Sequence, residues 1–515
     1  TFGVNVGAGS IATLSNVSLT SGNAVIMSGS NATVNVANGG VVQSLNGTGI
    51  FVFASNGFID NLGTISGSNT AVYANADLTL TNGASGSISG PFAVSALQNL
   101  DLTNNGSINA TVTNFNSSGI YAGATGTILN TGSITSGTNA IYTQGTGAVT
   151  NSGLIRGGGA ASTIRLFAAN SIVTNQAGGE INTSGTGTGV YLDGADSTVI
   201  NAGTIRGGNA VNFAGVGGTL TNSGVLTGLN GSAVVGNGGV VTNLAGGSIT
   251  GQLSGVTFVS AAGSATNAGT IVGTTAHGVN LNAGGVVDNS GSISGALVGV
   301  RSLAGLNLTS SGSISGGGNA VESLGVFNDT LTFLNGSTTT GSVLTDGGDD
   351  LISLAGLLTG SVSAGAGSDT VTLFGTGSFT GVLDGGDGVD SFILDGADAG
   401  TVDISTVLNF ESRRMQGSST FTLTGTDTSS VAWVIDSGVL NASGGLAIGD
   451  DVSVTIGANG TLGLMSTEVI GALEGSGLVN LGGYTLGVAN GGAYAGVIDG
   501  SGGLTLLGGT LTLSG

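Results

Sequence analysis

The sequence lacks several residue types on which most folds depend. Its 515 residues include no Cys, a single Pro and only 6% charged residues, and every basic residue is Arg. Without Cys there is no disulfide scaffold and no thiol chemistry. A collagen would need abundant Pro and a strict Gly-X-Y period. Hydrophobic residues make up 39% of the chain, which is too many for a disordered polymer.

Positive charge is also scarce. Acidic residues outnumber basic ones by 27 to 6, which gives a net charge of −21. Such a chain repels nucleic acid and anionic lipid headgroups, so we expect no nucleic-acid partner. The charge is compatible with binding of cations. No run of about 18 apolar residues is present, so the sequence predicts no membrane-spanning helix.

What the sequence does contain is a repeat. The unit Asn-x-Gly-x-Ile recurs, with two extra residues in some copies, against a background of 104 Gly. Its apolar anchors lie 20 to 26 residues apart. They are Ile65, Ile88, Ile108, Ile134, Ile155, Ile181, Ile205, Leu226, Ile249, Ile271, Ile293 and Ile314. A period in this range is typical of solenoid proteins, whose repeats are stable only when they stack.

Two further apolar positions recur once in each unit, with the same period as the anchors. One precedes the repeat Asn by two residues, as Ile59 and Leu80 do, and the other follows a small residue later in the unit, as Val72 and Val94 do. Each unit therefore contains three short strands. The predicted fold is all-β, a right-handed parallel β-helix with about 22 residues and three short strands per coil.

The repeat Asn and Gly predict the shape of one corner. Asn tolerates a left-handed turn, and its amide can bond to the Asn of the next coil. Gly two residues later allows the same tight turn. We therefore expect a column of stacked Asn side chains at this corner.

Changes in composition and repeat motif divide the chain into three parts. Residues 1–324 carry the Asn-x-Gly-x-Ile coils, and residues 325–400 continue the coil with Asp at 329, 350, 369 and 390. Residues 401–515 form a third region with motifs such as VLNFES and GVIDGSGGL.

The third region resembles the C-terminal passenger region of bacterial autotransporters, the type V secreted proteins. Its end is similar to the passenger-associated transport repeat, although the usual Lys-x-Gly-x-Gly between the two strands is missing. The matching residues are Gly496, Val497, Ile498, Gly500, Gly502, Gly503, Leu504, Gly509, Thr510, Leu511, Leu513, Ser514 and Gly515. The N-terminal coils are those of a generic β-helix and would also suit a filamentous haemagglutinin-like adhesin.

The resemblance implies a bacterial location and a secretion route. It implies an upstream signal peptide, a C-terminal outer-membrane β-barrel translocator as partner, and a place on or outside the surface of a Gram-negative bacterium. Many members of the family are adhesins or associate with themselves between cells.

Asp residues near position 370 indicate a candidate calcium site. GGDGVDSFI (385–393) fits a calcium-binding nonapeptide, and GAGSDTVTL (365–373) and DGGDDLISL (346–354) fit it in part. Carboxylates and carbonyls are the ligands that Ca²⁺ prefers. No cofactor is required by the sequence, but calcium would be held by Asp346, Asp349, Asp350, Asp369, Asp387 and Asp390. The alternative is that these Asp residues form turns at coil corners.

Tyrosine residues mark a candidate binding surface. Tyr73, Tyr121, Tyr142 and Tyr191 each follow a core Val or Ile, and Arg165 occupies the same position. Because side chains alternate along a strand, these residues should lie on one outer stripe. Tyr and Arg are enriched in binding hot spots. The alternative is that strand surfaces simply favour Tyr.

No arrangement of residues indicates an enzyme. There is no Cys or Lys, one His, and no Gly-x-Ser-x-Gly nucleophile elbow before it. Parallel β-helices that cleave polysaccharides use charged clusters in long loops, whereas the longest insertion here, 109–118, is uncharged.

Three functions remain in order of preference. The first is a non-enzymatic adhesin or self-association module that binds host or bacterial surface receptors or a second copy of itself. The second is a passive surface stalk without its own receptor. The third is a carbohydrate-active enzyme.

Overall fold

A computed structural model of the protein describes residues 2–112 and 118–515. Part of the uncharged insertion predicted at 109–118 lies outside the described residues. The chain forms two compact units, Thr1–Ala283 and Gly284–Gly515. The predicted boundaries after residues 324 and 400 both fall inside the second unit and stay predictions.

The first unit consists of short strands joined by turns. In chain order, its strands are Phe2–Val6, Ile11–Leu19, Asn23–Met27, Thr33–Ser44, Thr48–Val52, Gly57–Asn61, Thr64–Gly67, Thr70–Ala74, Leu78–Asn82, Ser87–Gly90, Phe92–Ala96, Leu100–Asn104, Ser107–Ala110, Ser118–Ala122, Gly126–Asn130, Ser133–Ser136, Asn139–Thr143, Gly147–Asn151, Leu154–Gly157, Ile164–Leu166, Ile172–Asn175, Glu180–Thr183, Val190–Leu192, Thr198–Asn201, Thr204–Gly207, Val211–Val216, Thr219–Asn222, Val225–Gly228, Val234–Asn237, Gly239–Asn243, Ser248–Gly251, Val256–Phe258, Gly263–Asn267, Thr270–Gly273 and His277–Leu281.

The second unit is built in the same way, with one 3-10 helix at Ile404–Thr406. Its strands are Gly285–Asn289, Ser292–Gly295, Val298–Ser302, Leu306–Ser310, Ser313–Val326, Thr330–Phe333, Thr338–Gly347, Leu351–Leu354, Leu357–Thr359, Val362–Gly367, Thr370–Phe374, Ser378–Phe379, Leu383–Gly388, Ser391–Asp395, Gly400–Asp403, Val407–Leu408, Ser412–Met415, Thr420–Thr424, Trp433–Ala442, Val454–Leu464, Glu468–Gly475, Leu478–Asn480, Thr485–Tyr494, Val497–Asp499, Gly503–Leu506 and Thr510–Leu513. Within the described residues, no helix is long and apolar enough to cross a membrane.

Parallel pairing between successive coils organises both units. In the first unit, the strand at Ser133–Ser136 pairs with Ser107–Ala110 on one side and Leu154–Gly157 on the other. Each such strand lies one coil, and three strands, from its partner along the chain. This pairing confirms the predicted all-β class and the parallel β-helix with three short strands per coil.

Equivalent aliphatic side chains stack inside the coils. Ile134 lies in register with Ile155, which lies in register with Ile181, and all three are fully buried. In the second unit Ile293 and Ile314 are paired in the same way. Complete burial of such a side chain contributes about 1.5–3 kcal/mol. Because each coil buries its apolar face only against its neighbours, stability is shared between adjacent coils.

The repeat Gly is required for a different reason from the one that the sequence suggested. We expected a left-handed turn at the repeat Asn and at the Gly two residues later, and neither Asn151 nor Gly153 has a positive φ. A Cβ on Gly153 would instead lie 2.1 Å from the carbonyl oxygen of Gly132 in the preceding coil. The same close approach occurs at Gly132, where a Cβ would lie 2.1 Å from the oxygen of Gly106. The Gly column therefore lets successive corners pack in contact.

Candidate functional site

The predicted tyrosine stripe lies on one outer face of the first unit. Along this face the register joins each residue to the equivalent one in the next coil. The order is Phe51, Tyr73, Ser95, Tyr121, Tyr142, Arg165 and Tyr191. The inward neighbours of these residues, such as Val72 and Ile141, are fully buried, whereas the stripe residues are partly exposed. We call Phe51, Tyr73, Tyr121, Tyr142, Arg165 and Tyr191 the aromatic stripe.

Neighbouring rings of the aromatic stripe stack on one another. The ring centroids of Phe51 and Tyr73 are 5.4 Å apart with 18° between the planes. Those of Tyr121 and Tyr142 are 5.9 Å apart and 7° from parallel. Burial raises the pKa of the Tyr121 hydroxyl above its ordinary value, and Tyr142 raises it further. The phenol therefore remains a hydrogen-bond donor at neutral pH.

The sequence prediction missed Phe51, although a signal for it was present. Phe51 directly follows the buried Ile50, as each stripe tyrosine follows a core Val or Ile. It was overlooked because it precedes the first Asn-x-Gly-x-Ile unit, which begins at Asn61.

Arg165 is held in place by two neighbours. Its guanidinium donates two hydrogen bonds to the Asp193 carboxylate, at 2.8 and 3.0 Å, and lies 5.2 Å from the centroid of the Tyr191 ring. The hydrogen bond to Asp193 raises the pKa of Arg165. Arg165 and Tyr191 line a depression of about 250 Å³ together with Asn139, Ser162 and Thr188. Because Asp193 neutralises the guanidinium, Arg165 offers an ordered planar surface rather than a free positive charge.

The repeat Asn residues form a second feature of the first unit, the amide column. Its members are Asn61, Asn82, Asn104, Asn130, Asn151, Asn175, Asn201, Asn222, Asn243 and Asn267. They are buried, and from Asn61 to Asn243 each Nδ2 donates to the Oδ1 of the next Asn at 2.7–2.9 Å. Asn151, for example, also donates to the carbonyl oxygen of Gly153 at 3.0 Å. The predicted stacking of Asn side chains is thereby confirmed.

In the second unit, Asp residues form a carboxyl column at successive coil corners. Asp329, Asp350, Asp369 and Asp390 are each at most 3% exposed. The backbone N–H of Asp329 donates to the Oδ1 of Asp350 at 2.8 Å, and that of Asp350 donates to Asp369 at the same distance. The N–H of Asp369 donates to Asp390 at 2.7 Å, and the N–H of Asp390 donates to Glu411. Each carboxyl group therefore satisfies a backbone donor one coil away.

The second oxygen of three column members has no partner. Among the described residues, Oδ2 of Asp350, Asp369 and Asp390 is buried without a hydrogen bond. Burial raises the pKa of all four column carboxyls above the ordinary value, and that of Asp350 reaches about 7. Neighbouring carboxylates act in the same direction on Asp350, Asp369 and Asp390. Folding therefore makes ionisation of the column carboxyls less favourable than it is in the unfolded chain.

The six Asp residues predicted to hold calcium are divided between two environments. Asp350, Asp369 and Asp390 belong to the buried column. Asp346 and Asp349 are exposed and accept hydrogen bonds from the N–H groups of Gly325 and Ser368, and Asp387 is exposed. In the described part of the chain, no three His, Cys, Asp or Glu residues are grouped as metal ligands.

The geometry of the column is a poor match to the needs of calcium. Ca²⁺ takes six to eight oxygen ligands. The column offers one unpaired oxygen per coil, because the other oxygen of each carboxyl already binds a backbone N–H. Calcium binding by these residues stays a hypothesis, and so does the alternative of local turns, because the hydrogen bonds of Asp350, Asp369 and Asp390 join residues one coil apart.

Comparisons with known proteins found no relative of this chain. No protein-family model matches the chain, and neither a curated protein nor a solved structure is significantly similar to it.

Proposed function

We propose that this protein is a surface adhesin or self-association module that binds through the aromatic stripe. The observation that carries the proposal is the register that places Phe51, Tyr73, Tyr121, Tyr142 and Tyr191 on one outer line of the first unit. Tyr supplies a large contact area at low conformational cost, and its hydroxyl bonds to polar partners. A repeated line of weak contacts gains strength through avidity.

We further propose that the chain is the passenger region of an autotransporter, displayed at or released from the surface of a Gram-negative bacterium. The support is the resemblance of residues 401–515 to the passenger-associated region and the parallel β-helix that precedes it. Its partners would be receptors on host or bacterial cells, or a second copy of the chain.

The proposal is tested by replacing the four stripe tyrosines, Tyr73, Tyr121, Tyr142 and Tyr191, with Ser. Beads coated with the purified variant should no longer aggregate or bind cells, because the variant has lost the contact area of four rings. The matched control replaces four outward Thr residues on another face, Thr81, Thr103, Thr150 and Thr174, with Ser. Equal aggregation by wild type and the tyrosine variant, with both folded, would remove the stripe as the adhesive surface.

A second candidate is a passive stalk, and the amide column favours it. A continuous chain of buried Asn hydrogen bonds stiffens coil corners without providing any outer surface for binding. A stalk predicts that wild-type beads neither aggregate nor bind cells. Neither candidate includes catalysis, and a polysaccharide-cleaving activity that is lost on Asp substitution would support an enzyme instead.

A further inference from the structure

One charged residue lies in an apolar column inside the second unit. Arg413 is paired in register with Phe392 on one side and with Trp433 on the other. Val371 and Val454 continue the same inward column. The four apolar members are fully buried, and Arg413 is 3% exposed. Because an aliphatic residue at this position would continue the column without burying a charge, the presence of Arg413 indicates a role other than packing.

The guanidinium of Arg413 has few partners for a buried cation. Its Nη1 donates to Oδ2 of Asp427 at 2.8 Å, and both side chains of this ion pair are 2% exposed. Among the described residues, Nε of Arg413 is buried without a hydrogen bond. Burial lowers the pKa of Arg413, and Asp427 acts against this change. A guanidinium carries several N–H donors, so a ligand that supplies further acceptors would stabilise it.

A cavity of about 320 Å³ opens beside this ion pair. The 3-10 helix Ile404–Thr406 supplies part of its wall. Asn409, whose φ of 56° is left-handed, turns the chain before the buried Phe410, which supplies another part. A third part is the turn at Asp427, whose Oδ1 accepts hydrogen bonds from the N–H and the hydroxyl of Ser429. Small-molecule pockets begin at about 300 Å³, so the cavity suits a small ligand.

The lining of the cavity combines apolar surface with both signs of charge. Ile404, Val407 and Phe410 are at most 2% exposed and form the apolar part. The polar part holds the guanidinium and two carboxyl groups, those of Asp427 and Glu411. Because the carboxyl groups outnumber the single cation, an anion would be repelled. The lining therefore favours an uncharged ligand with an apolar body.

An amide group is an uncharged partner that uses both kinds of polar group in the lining. Its oxygen accepts from a guanidinium, and its NH₂ group donates to a carboxylate. A ligand carboxylate would offer acceptors to Arg413 but no donor to Asp427 or Glu411. A ketone would likewise lack the donor. A polyhydroxylated ring would place hydroxyl groups against Ile404 and Phe410, where they would be desolvated without a partner.

We propose that the cavity beside Arg413 binds a small aliphatic carboxamide. The amide oxygen accepts from the guanidinium, the amide NH₂ donates to the carboxylates, and the aliphatic part lies on Ile404, Val407 and Phe410. The site belongs to the second unit and does not depend on the adhesive function proposed for the aromatic stripe.

Three probes of one shape test the ligand class. Isobutyramide, isobutyrate and 3-methyl-2-butanone differ only in carrying an amide, a carboxylate or a ketone. Trp433 reports binding, because it is the sole Trp and its ring centroid is 5.9 Å from the guanidinium carbon of Arg413. Each probe is titrated into the full chain and followed by Trp433 fluorescence, with ligand-observed saturation-transfer NMR as the second readout. We expect isobutyramide to bind about tenfold more tightly than the other two probes.

Variants locate the bound probe. Thr428 is an exposed part of the lining, so Thr428→Phe should narrow the cavity and weaken the binding of isobutyramide about tenfold. The matched control is Thr426→Phe, which changes an exposed Thr outside the lining and should bind like wild type. Arg413→Leu combined with Asp427→Asn removes both charges and keeps an acceptor for Ser429. This double variant should equal or exceed the urea midpoint of wild type and no longer bind isobutyramide.

Three outcomes would overturn the assignment. The first is that isobutyramide changes neither the Trp433 fluorescence nor the NMR signal. The second is that isobutyrate or the ketone binds as tightly as the amide. The third is that folded Thr428→Phe binds isobutyramide as well as Thr426→Phe does, which would place the probe elsewhere. If the double variant does not fold, the comparison of these two Thr variants decides.

Discussion

The amide column of the first unit and the carboxyl column of the second join successive coil corners with different chemistry. An Asn side chain is both donor and acceptor, so each amide of the column bonds to the next and the chain of bonds is closed. A carboxyl group lacks the NH₂ donor of an amide, so each one accepts from a backbone N–H and leaves Oδ2 without a partner in Asp350, Asp369 and Asp390. The amide column does not titrate, so its contribution to the free energy of unfolding should not change with pH. The contribution of the buried carboxyl column should change with pH.

The largest loss of stability is expected from placing a carboxyl group in the amide column. In Asn151→Asp, the new oxygen would face the Oδ1 of Asn175 and the carbonyl oxygens of Gly153 and Glu180, all of which now accept hydrogen bonds from Asn151. A buried charge without a partner costs about 3–5 kcal/mol. Urea unfolding at pH 7, followed by circular dichroism and by hydrogen exchange of the coils around residue 151, should show this loss.

A surface substitution of the same type provides the control for Asn151→Asp. Asn105 is exposed, so Asn105→Asp adds the same charge without burying it and should change stability by less than about 0.5 kcal/mol. If Asn151→Asp were as stable as Asn105→Asp, the buried Asn–Asn hydrogen bonds of the amide column would be contradicted.

The next largest change in stability is expected when the pH is varied for the second unit of the wild-type protein. The folded pKa of Asp350 and of the buried Glu468 is about 7, above the ordinary value of each carboxyl group. The folded state therefore holds more protons between about pH 4 and 7, and stability falls as pH rises through this range. The other charged groups near the column, Asp349, Asp384, Asp387 and Glu411, are all acidic and act in the same direction.

Trp433 provides the measurement, because it is the sole Trp of the sequence and is fully buried in the second unit. Urea unfolding followed by its fluorescence should show a decrease in free energy of unfolding on the order of 3 kcal/mol between pH 4 and 8. Hydrogen exchange of the amide-column coils, corrected for the intrinsic effect of pH, should change little. A second unit that becomes more stable as pH rises would refute the raised pKa values of Asp350 and Glu468.

A smaller effect is expected from removing one acid from the column. In Asp369→Asn, the amide oxygen can still accept the N–H of Asp350, but the group no longer titrates. Its buried NH₂ group lacks an acceptor, which costs about 1–3 kcal/mol and offsets most of the gain from losing the charge. Because the pKa of Asp369 is raised by burial, we expect the variant to lose less stability than wild type as the pH rises, so that the two pH profiles cross.

The crossing of the two pH profiles is the diagnostic result for Asp369→Asn. Asp346→Asn removes an exposed charge from the preceding coil, where Asp346 accepts from the N–H of Gly325, and serves as the control. The free energy of unfolding of this control variant should vary with pH in parallel with that of wild type. Parallel profiles for both variants would show that the buried column does not control the response to pH.

The sequence predicted those parts of the molecule that repeat with the coil. The Ile column and the Asn column were found because each coil contributes the same residue at the same place. The role of the repeat Gly was misjudged, since the contact that excludes a Cβ from Gly153 comes from Gly132 in another coil. The Asp spacing was visible, but the burial of Asp369 and its bond to Asp350 depend on how neighbouring coils pack. Asp193 was missed as a partner of Arg165 for the same reason.

The smallest expected change in stability is the response of the carboxyl column to calcium. Because one oxygen of each column carboxyl binds a backbone N–H and the other is buried, Ca²⁺ would have to break existing bonds to reach its six to eight ligands. We therefore expect addition of Ca²⁺ and then EGTA to leave the Trp433 unfolding midpoint unchanged at pH 7, with Mg²⁺ as the control for ionic strength. A midpoint that rises with Ca²⁺ alone, and no longer does so in Asp369→Asn, would establish calcium as the ligand of the column. The pH response of the second unit would then reflect competition between calcium and protons for the same carboxyl groups, which the amide column cannot show in either case.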